Sequence, residues 1–202
     1  MRVIDCSGEP AYEATTIPHA TMAVEILRLH VDPVAKSSTS LVRFPAGWER
    51  PVDGNYSVDE EILVLDGELI VTGVSYTPGV YGWIARGGLR RLSATATGCV
   101  ALAWFSGIPT WSSTADDLAT TPSVRIDLNN ARPGSSPSPF GAMGRRIRES
   151  TAGSCWSVSG PPHHRASSDT EVFDLKDRRW CRVDAGETPP LWPGRLLVRS
   201  FN

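Results

Sequence analysis

Sixteen prolines and eighteen glycines break this 202-residue chain into short β-rich runs, the pattern by which all-β barrels and sandwiches are read. Leu41–Phe44, Ile62–Leu65, Leu69–Val74, Val80–Ala85 and Cys99–Phe105 are the clearest strands. Ile62–Leu65 and Cys99–Phe105 are almost wholly apolar, so both of their faces are expected to be covered. Asp66-Gly67 lies between two such runs and predicts a hairpin, because Gly supplies positive φ at little cost. Over Thr21–His30 the spacing fits a short helix or an opening strand equally well.

A chain of this length buries one substantial core or two small ones, and its 41% hydrophobic content is that of a globular protein. The formal net charge of −2 gives no general attraction to nucleic acid or to an anionic membrane. Arginines do gather at Arg86, Arg90 and Arg91 and again at Arg145, Arg146 and Arg148, and such clusters read as solvated faces. No apolar run approaches the length that crosses a bilayer, and the start, Met-Arg-Val-Ile-Asp-Cys, lacks the apolar core of a signal peptide. Cys6, Cys99, Cys155 and Cys181 are scattered without a Cys-x-x-Cys pair. That argues against structural zinc and redox motifs and reads as reduced thiols in the cytoplasm. Templates for a nucleophile elbow, a phosphate-binding loop and a His-Glu-x-x-His helix are missing.

Residues 132–140, rich in Pro, Ser and Gly, predict a linker or long surface loop. The residues after it echo those before. Ala46-Gly47-Trp48 has a counterpart in Ala152-Gly153 with Trp156, Glu60-Glu61-Ile62-Leu63 in Glu171-Val172-Phe173-Asp174, and Pro78-Gly79 in Pro193-Gly194. The order is preserved. Val80–Arg86 would then correspond to Arg195–Phe201, leaving the second unit short of closing strands. The expected division is residues 1–120 and 121–202, with the second half packed against the first and its open sheet edge covered.

Residues 45–67, Pro-Ala-Gly-Trp-Glu-Arg-Pro-Val-Asp-Gly-Asn-Tyr-Ser-Val-Asp-Glu-Glu-Ile-Leu-Val-Leu-Asp-Gly, resemble the first motif of a cupin barrel with its histidines removed. The resemblance is closest to the subgroup of anti-sigma-factor cupins and dihydroxyacetophenone-type dioxygenases, and it covers residues 38–108. It implies an all-β, double-stranded β-helix (jelly-roll) barrel followed by a second, incomplete cupin-like unit. Gly47, Glu60 and Gly67 fit the first motif; Gly79 and Gly87 fit the second. The two histidine places of the first motif fall on Asp53 and Asn55, the proline place of the second on Ala85, and its histidine place on Arg90. A carboxylate or two with an amide make a poor zinc or iron site, so no metal cofactor is expected.

If the barrel closes as in other cupins, Arg90 approaches Glu60 where relatives hold an ion. A guanidinium keeps its proton there and supplies a fixed positive charge and a forked donor. A one-residue slip would put Arg91 inside instead. Period-two alternation places Glu60 on the face of Ile62 and Val64, opposite Glu61, Leu63 and Leu65. Asp53 joins Glu60 and Arg90 as a candidate catalytic residue. Asn55, Trp48, Tyr56, Tyr81, Trp83 and Trp104 are candidates for contact with an apolar or aromatic ligand, with about two of the aromatics lining a pocket and the others filling core. His164 precedes Glu171 as Asp53 precedes Glu60, but two ligands do not hold a metal tightly.

The expected function is a metal-independent enzyme, an isomerase, lyase or cyclase acting on a small apolar metabolite by acid–base chemistry. A metal-dependent oxygenase with atypical ligands and a non-catalytic ligand-binding barrel are the alternatives. A homodimer is implied by the resemblance, and no nucleic-acid or membrane partner is expected.

Overall fold

The computed structural model describes residues 1–7, 11–113, 123–129 and 165–201 in full, and residues 145–149 and 154–159 as backbone strands. The described residues contain strands and turns and no α-helix. They form two compact units, Ala11–Asn129 and a second made of Met1–Pro10 with Asn130–Asn202. The amino-terminal residues thus belong with the carboxyl-terminal half, where the sequence assigned them to the first.

In the first unit a seven-stranded antiparallel sheet runs in the order Ser123–Asp127, Val80–Ile84, Glu60–Gly67, Cys99–Phe105, Ser38–Phe44, Val24–Val31, Glu13–Thr15. A four-stranded sheet runs Trp48–Arg50, Ser93–Thr95, Leu69–Val71, Val74–Tyr76. Along the chain, strands alternate between the two: 38–44, 48–50, 60–67, then the 69–76 pair, 80–84, 93–95 and 99–105. That alternation is a jelly roll. Its inward side chains, among them Val24, Val42, Ile62, Val64, Leu69, Val71, Ile84, Ala101 and Ala103, make one core, each large member stabilising the fold by roughly 1.5–3 kcal/mol. The two apolar runs are covered on both faces as their composition requires, since Leu63 and Leu102 on the other side are fully buried too. Thr21–His30 resolves as a strand over Val24–Val31, because its β-branched and aliphatic residues pair with Ser38–Phe44.

Asp66-Gly67 does not form the expected hairpin. Glu60–Gly67 pairs with Cys99–Phe105, while Leu69–Val71 has already joined the other sheet, so the dipeptide is a corner between sheets. Gly67 has φ +71°, and a Cβ there would lie 2.0 Å from the Gly98 carbonyl oxygen; backbone approach as well as positive φ demands glycine. The hairpin comes next, Leu69–Val71 with Val74–Tyr76, where Thr72 and Gly73 both have positive φ, the type I′ requirement.

The second unit is a six-stranded antiparallel sheet in the order Arg2–Asp5, Arg179–Val183, Thr170–Asp174, Leu196–Phe201, Ser154–Ser159, Arg145–Glu149. It matches six of the seven strands of the first unit's large sheet in order, with no counterpart of Glu13–Thr15 among the described residues. Thr170–Asp174 takes the place of Glu60–Gly67, flanked on one side by the hairpin strand and on the other by the long return strand. Leu196–Phe201 therefore corresponds to Cys99–Phe105, not to Val80–Ile84 as the sequence suggested. What the described residues of this unit lack is a second, smaller sheet. Its edge strand is supplied by Arg2–Asp5, paired with Arg179–Arg182, which covers an edge that would otherwise offer free backbone groups. Ala166, Val172, Cys181, Val183, Trp192, Leu196 and Val198 form its core. The expected linker at 132–140, Ala152-Gly153, His163 and His164 lie outside the described residues, as do the side chains of Arg145, Arg146, Arg148, Cys155 and Trp156.

Candidate functional site

Glu60 opens its strand on the large sheet and Arg90 precedes Ser93–Thr95 on the small one, so together they bridge the barrel. Two backbone hydrogen bonds fix Arg90: its N–H donates to the Gly54 carbonyl at 2.8 Å, and the Gly54 N–H returns to the Arg90 carbonyl at 3.0 Å. Arg90 is inside at 0% exposure and Arg91 is outside. Nε of Arg90 donates to Glu60 Oε2 at 2.9 Å, Nη2 lies 2.8 Å from the same oxygen, and Nη1 donates to the Gly88 carbonyl at 3.0 Å. The guanidinium also lies 4.8 Å from the centre of the Tyr56 ring, within cation–π range. Both contacts with Arg90 use Oε2 of Glu60.

A second arginine, which the sequence reading missed, stands beside this couple. Trp48–Arg50 pairs with Ser93–Thr95, placing Arg50 opposite Ser93 and Trp48 opposite Thr95. Alternation sends Trp48 and Arg50 to the same, inward face, and Arg50 is 4% exposed. Its Nη1 donates to the Tyr56 hydroxyl at 2.8 Å and Nη2 reaches Ser93 Oγ at 3.4 Å. The plane sits 3.8 Å from the Trp111 ring centre. Trp111 fits there because Gly54 has no side chain: a Cβ would come within 2.4 Å of the indole. Burial pushes the Tyr56 phenol above its ordinary range, so it stays neutral beside the two cations.

Ile17, Phe44, Trp48, Arg50, Tyr56, Glu60, Ile62, Leu69, Val71, Arg90 and Ser93 line a cavity of about 40 Å³, room for about three water-sized groups. Trp48 and Tyr56 are the two aromatics of the five that line it. Tyr81, Trp83 and Trp104 are buried on the opposite face of the large sheet with Glu61, where the Tyr81 hydroxyl bonds to Glu61; period two excludes them from the interior. Asp53 is exposed and Asn55 half-buried, and neither lines the cavity. The Gly54–Arg90 bridge holds this loop so that its Cα trace, not the Asp53 carboxylate, faces Arg90. Trp48 is anchored by its indole N–H donating to the Met22 carbonyl at 3.1 Å.

No group of three or more His, Cys, Asp and Glu side chains that would hold a metal exists among the described residues. The donor set agrees: the one inward carboxylate is engaged by a guanidinium, and a divalent ion on Oε2 would meet that cation at contact distance. The residues present do not fit the ion a cupin site implies. Glu171, the other weak candidate, lies 3.8 Å from Arg182. A larger open groove of about 780 Å³ runs past Glu25, Arg43, Asp66 and Gly98, but it contains neither member of the couple, and its size alone implies no chemistry.

No family model matches the chain, and no curated protein matches it either. Solved structures do. A presumed dioxygenase from Nostoc punctiforme PCC 73102 superposes with a TM-score of 0.80 over 98% of this chain and 81% of its own, at 16% identity. The fold is that of the cupins. Protein Ylba of E. coli is similar over 98% of this chain and 85% of its own, at 11% identity and TM-score 0.53. Hazelnut vicilin is similar over 98% and 81%, at 7% identity and TM-score 0.51. At these identities the likeness is one of architecture, and the cupin barrel here carries a charged couple of its own.

Proposed function

We propose that the Ala11–Asn129 barrel is a metal-independent acid–base site for a small metabolite, an isomerase, lyase or cyclase in class. One observation carries the reading: Arg90 clamps one oxygen of Glu60, and both residues line a small cavity inside the barrel. A carboxylate so held is oriented for proton abstraction, and the buried guanidinium beside it steadies negative charge that develops on a substrate. The dioxygenase name suggests oxygen chemistry, but that name belongs to the Nostoc protein, and the donor set here does not suit a metal ion. A non-catalytic ligand-binding barrel is the second reading, favoured by the small cavity. A homodimer and a cytoplasmic setting belong to the same proposal. Three buried, free cysteines fit a reducing compartment, and no helix of the described residues is long and apolar enough to cross a membrane.

The test follows solvent deuterium entering a panel of small metabolites by NMR. Incorporation catalysed by the native chain and lost by at least about a hundredfold in Glu60→Gln supports the reading. Incorporation unchanged in both Glu60→Gln and Arg90→Met ends it.

A further inference from the structure

Arg50 is the feature the acid–base reading leaves unused. Arginine is rarely buried unless paired, and a lone ion in a protein interior costs several kcal/mol even after relaxation. Yet among the described residues no carboxylate lies within ion-pair distance of Arg50. Its partners are neutral: the Tyr56 hydroxyl, Ser93 Oγ and the faces of Trp111 and Tyr56. Its Nε–H, also buried, has no hydrogen-bond partner.

The charges around the cavity make the consequence plain. Arg50 and Arg90 contribute two positive charges and Glu60 one negative, so the cavity lining carries one uncompensated positive charge. The cavity's volume of about 40 Å³ suits only a few heavy atoms, the size of a short-chain carboxylate. Stacking on Trp111 from one side fixes the plane of the guanidinium, which is how a forked donor is aimed at a planar anion. Apolar Ile17, Phe44, Ile62, Leu69 and Val71 close the same space, so the rest of the ligand adjoining the carboxylate is a short hydrocarbon.

We infer that the barrel takes a small carboxylate, with Arg50 as its anion-recognition residue. Resting on the acid–base reading of the same site, this names the substrate class: a short-chain carboxylic acid whose head group neutralises Arg50 in the cavity that Glu60 also lines. Arg50 neither gives nor takes a proton; it positions the ligand.

NMR titration of the full chain with acetate and propionate, and with acetamide and propionamide as neutral counterparts, tests the inference. The carboxylates are expected to bind at least about tenfold more tightly than the amides, and Arg50→Met to weaken them by at least about tenfold. Arg50→Lys keeps the charge and loses the fork, so it serves if the methionine variant fails to fold, and a similar loss is expected. Glu60→Gln is expected to bind the carboxylates at least as well as the native chain, because it removes the neighbouring negative charge. Equal affinity for acid and amide, or native carboxylate affinity in Arg50→Lys, overturns the inference. The two proposals separate cleanly. Deuterium exchange without carboxylate preference sinks only the substrate class, and Arg50-dependent binding without exchange sinks only the catalysis.

Discussion

Arg90, Glu60 and Arg50 share one cavity but have different energetic roles. Arg90 is fully buried and its charge is met by Glu60, whose side chain is 17% exposed. Removing either partner strands the other. Glu60→Gln and Arg90→Met are each expected to lower stability by about 1–3 kcal/mol, and the double variant by clearly less than the sum. Urea denaturation of the four proteins checks it; strict additivity would mean that the two groups do not interact. Arg50→Met is expected to raise stability without ligand, because it removes a buried charge that no carboxylate meets and strands no carboxylate. The sequence made Glu60 and Arg90 legible through motif spacing. Arg50 was not, although the alternation Trp48-Glu49-Arg50 carried its signal: a tryptophan two residues earlier marks the inward face. Asp53 misled because a histidine place in a motif says where the chain passes, and the direction of a side chain in an irregular loop depends on pairing that only the fold creates, here Gly54 with Arg90.

Strands were readable from composition, and connections less so. Asp66-Gly67 has the chemistry of a two-residue hairpin, yet Gly67 is needed for a crossing over Gly98, a contact between segments far apart in sequence. The true hairpin turn, Thr72-Gly73, has a β-branched residue at a positive-φ position, which local preference would not choose. The two glycines are therefore expected to differ. Gly73→Ala meets nothing within 4 Å and is expected to cost about 1 kcal/mol from φ alone, whereas Gly67→Ala adds a backbone collision and is expected to cost at least about 3 kcal/mol. Thermal and urea midpoints of the two variants measure the gap, and equal losses would show that the corner has room. The return of Arg2–Asp5 as an edge strand of the second unit was also beyond sequence reading, because nothing local in a four-residue strand names a partner more than a hundred residues away.

Across the molecule, two sheets of matching strand order occur, one with a smaller sheet that makes a barrel and one without it among the described residues. Buried thiols occur in both units. Burial pushes Cys99 and Cys181 up to about 12 and Cys6 up to about 11. Unfolded thiols ionise near 9.0, so at alkaline pH the unfolded chain loses protons that the folded chain keeps. The stability these groups contribute is complete below about pH 9 and falls as pH rises toward about 12. Urea midpoints that drop through this window, and a thiol reagent that leaves Cys6, Cys99 and Cys181 unmodified until the chain unfolds, are the expected results. Flat midpoints, or rapid modification of those three in the folded protein, would contradict the burial. Elemental analysis of the native protein purified without chelators shows directly what occupies the heart of the first barrel. Iron, manganese, nickel and zinc each well below one ion per chain is the expected result; one ion per chain, lost on Glu60→Gln, would show that a metal and not Arg90 is the partner of that carboxylate.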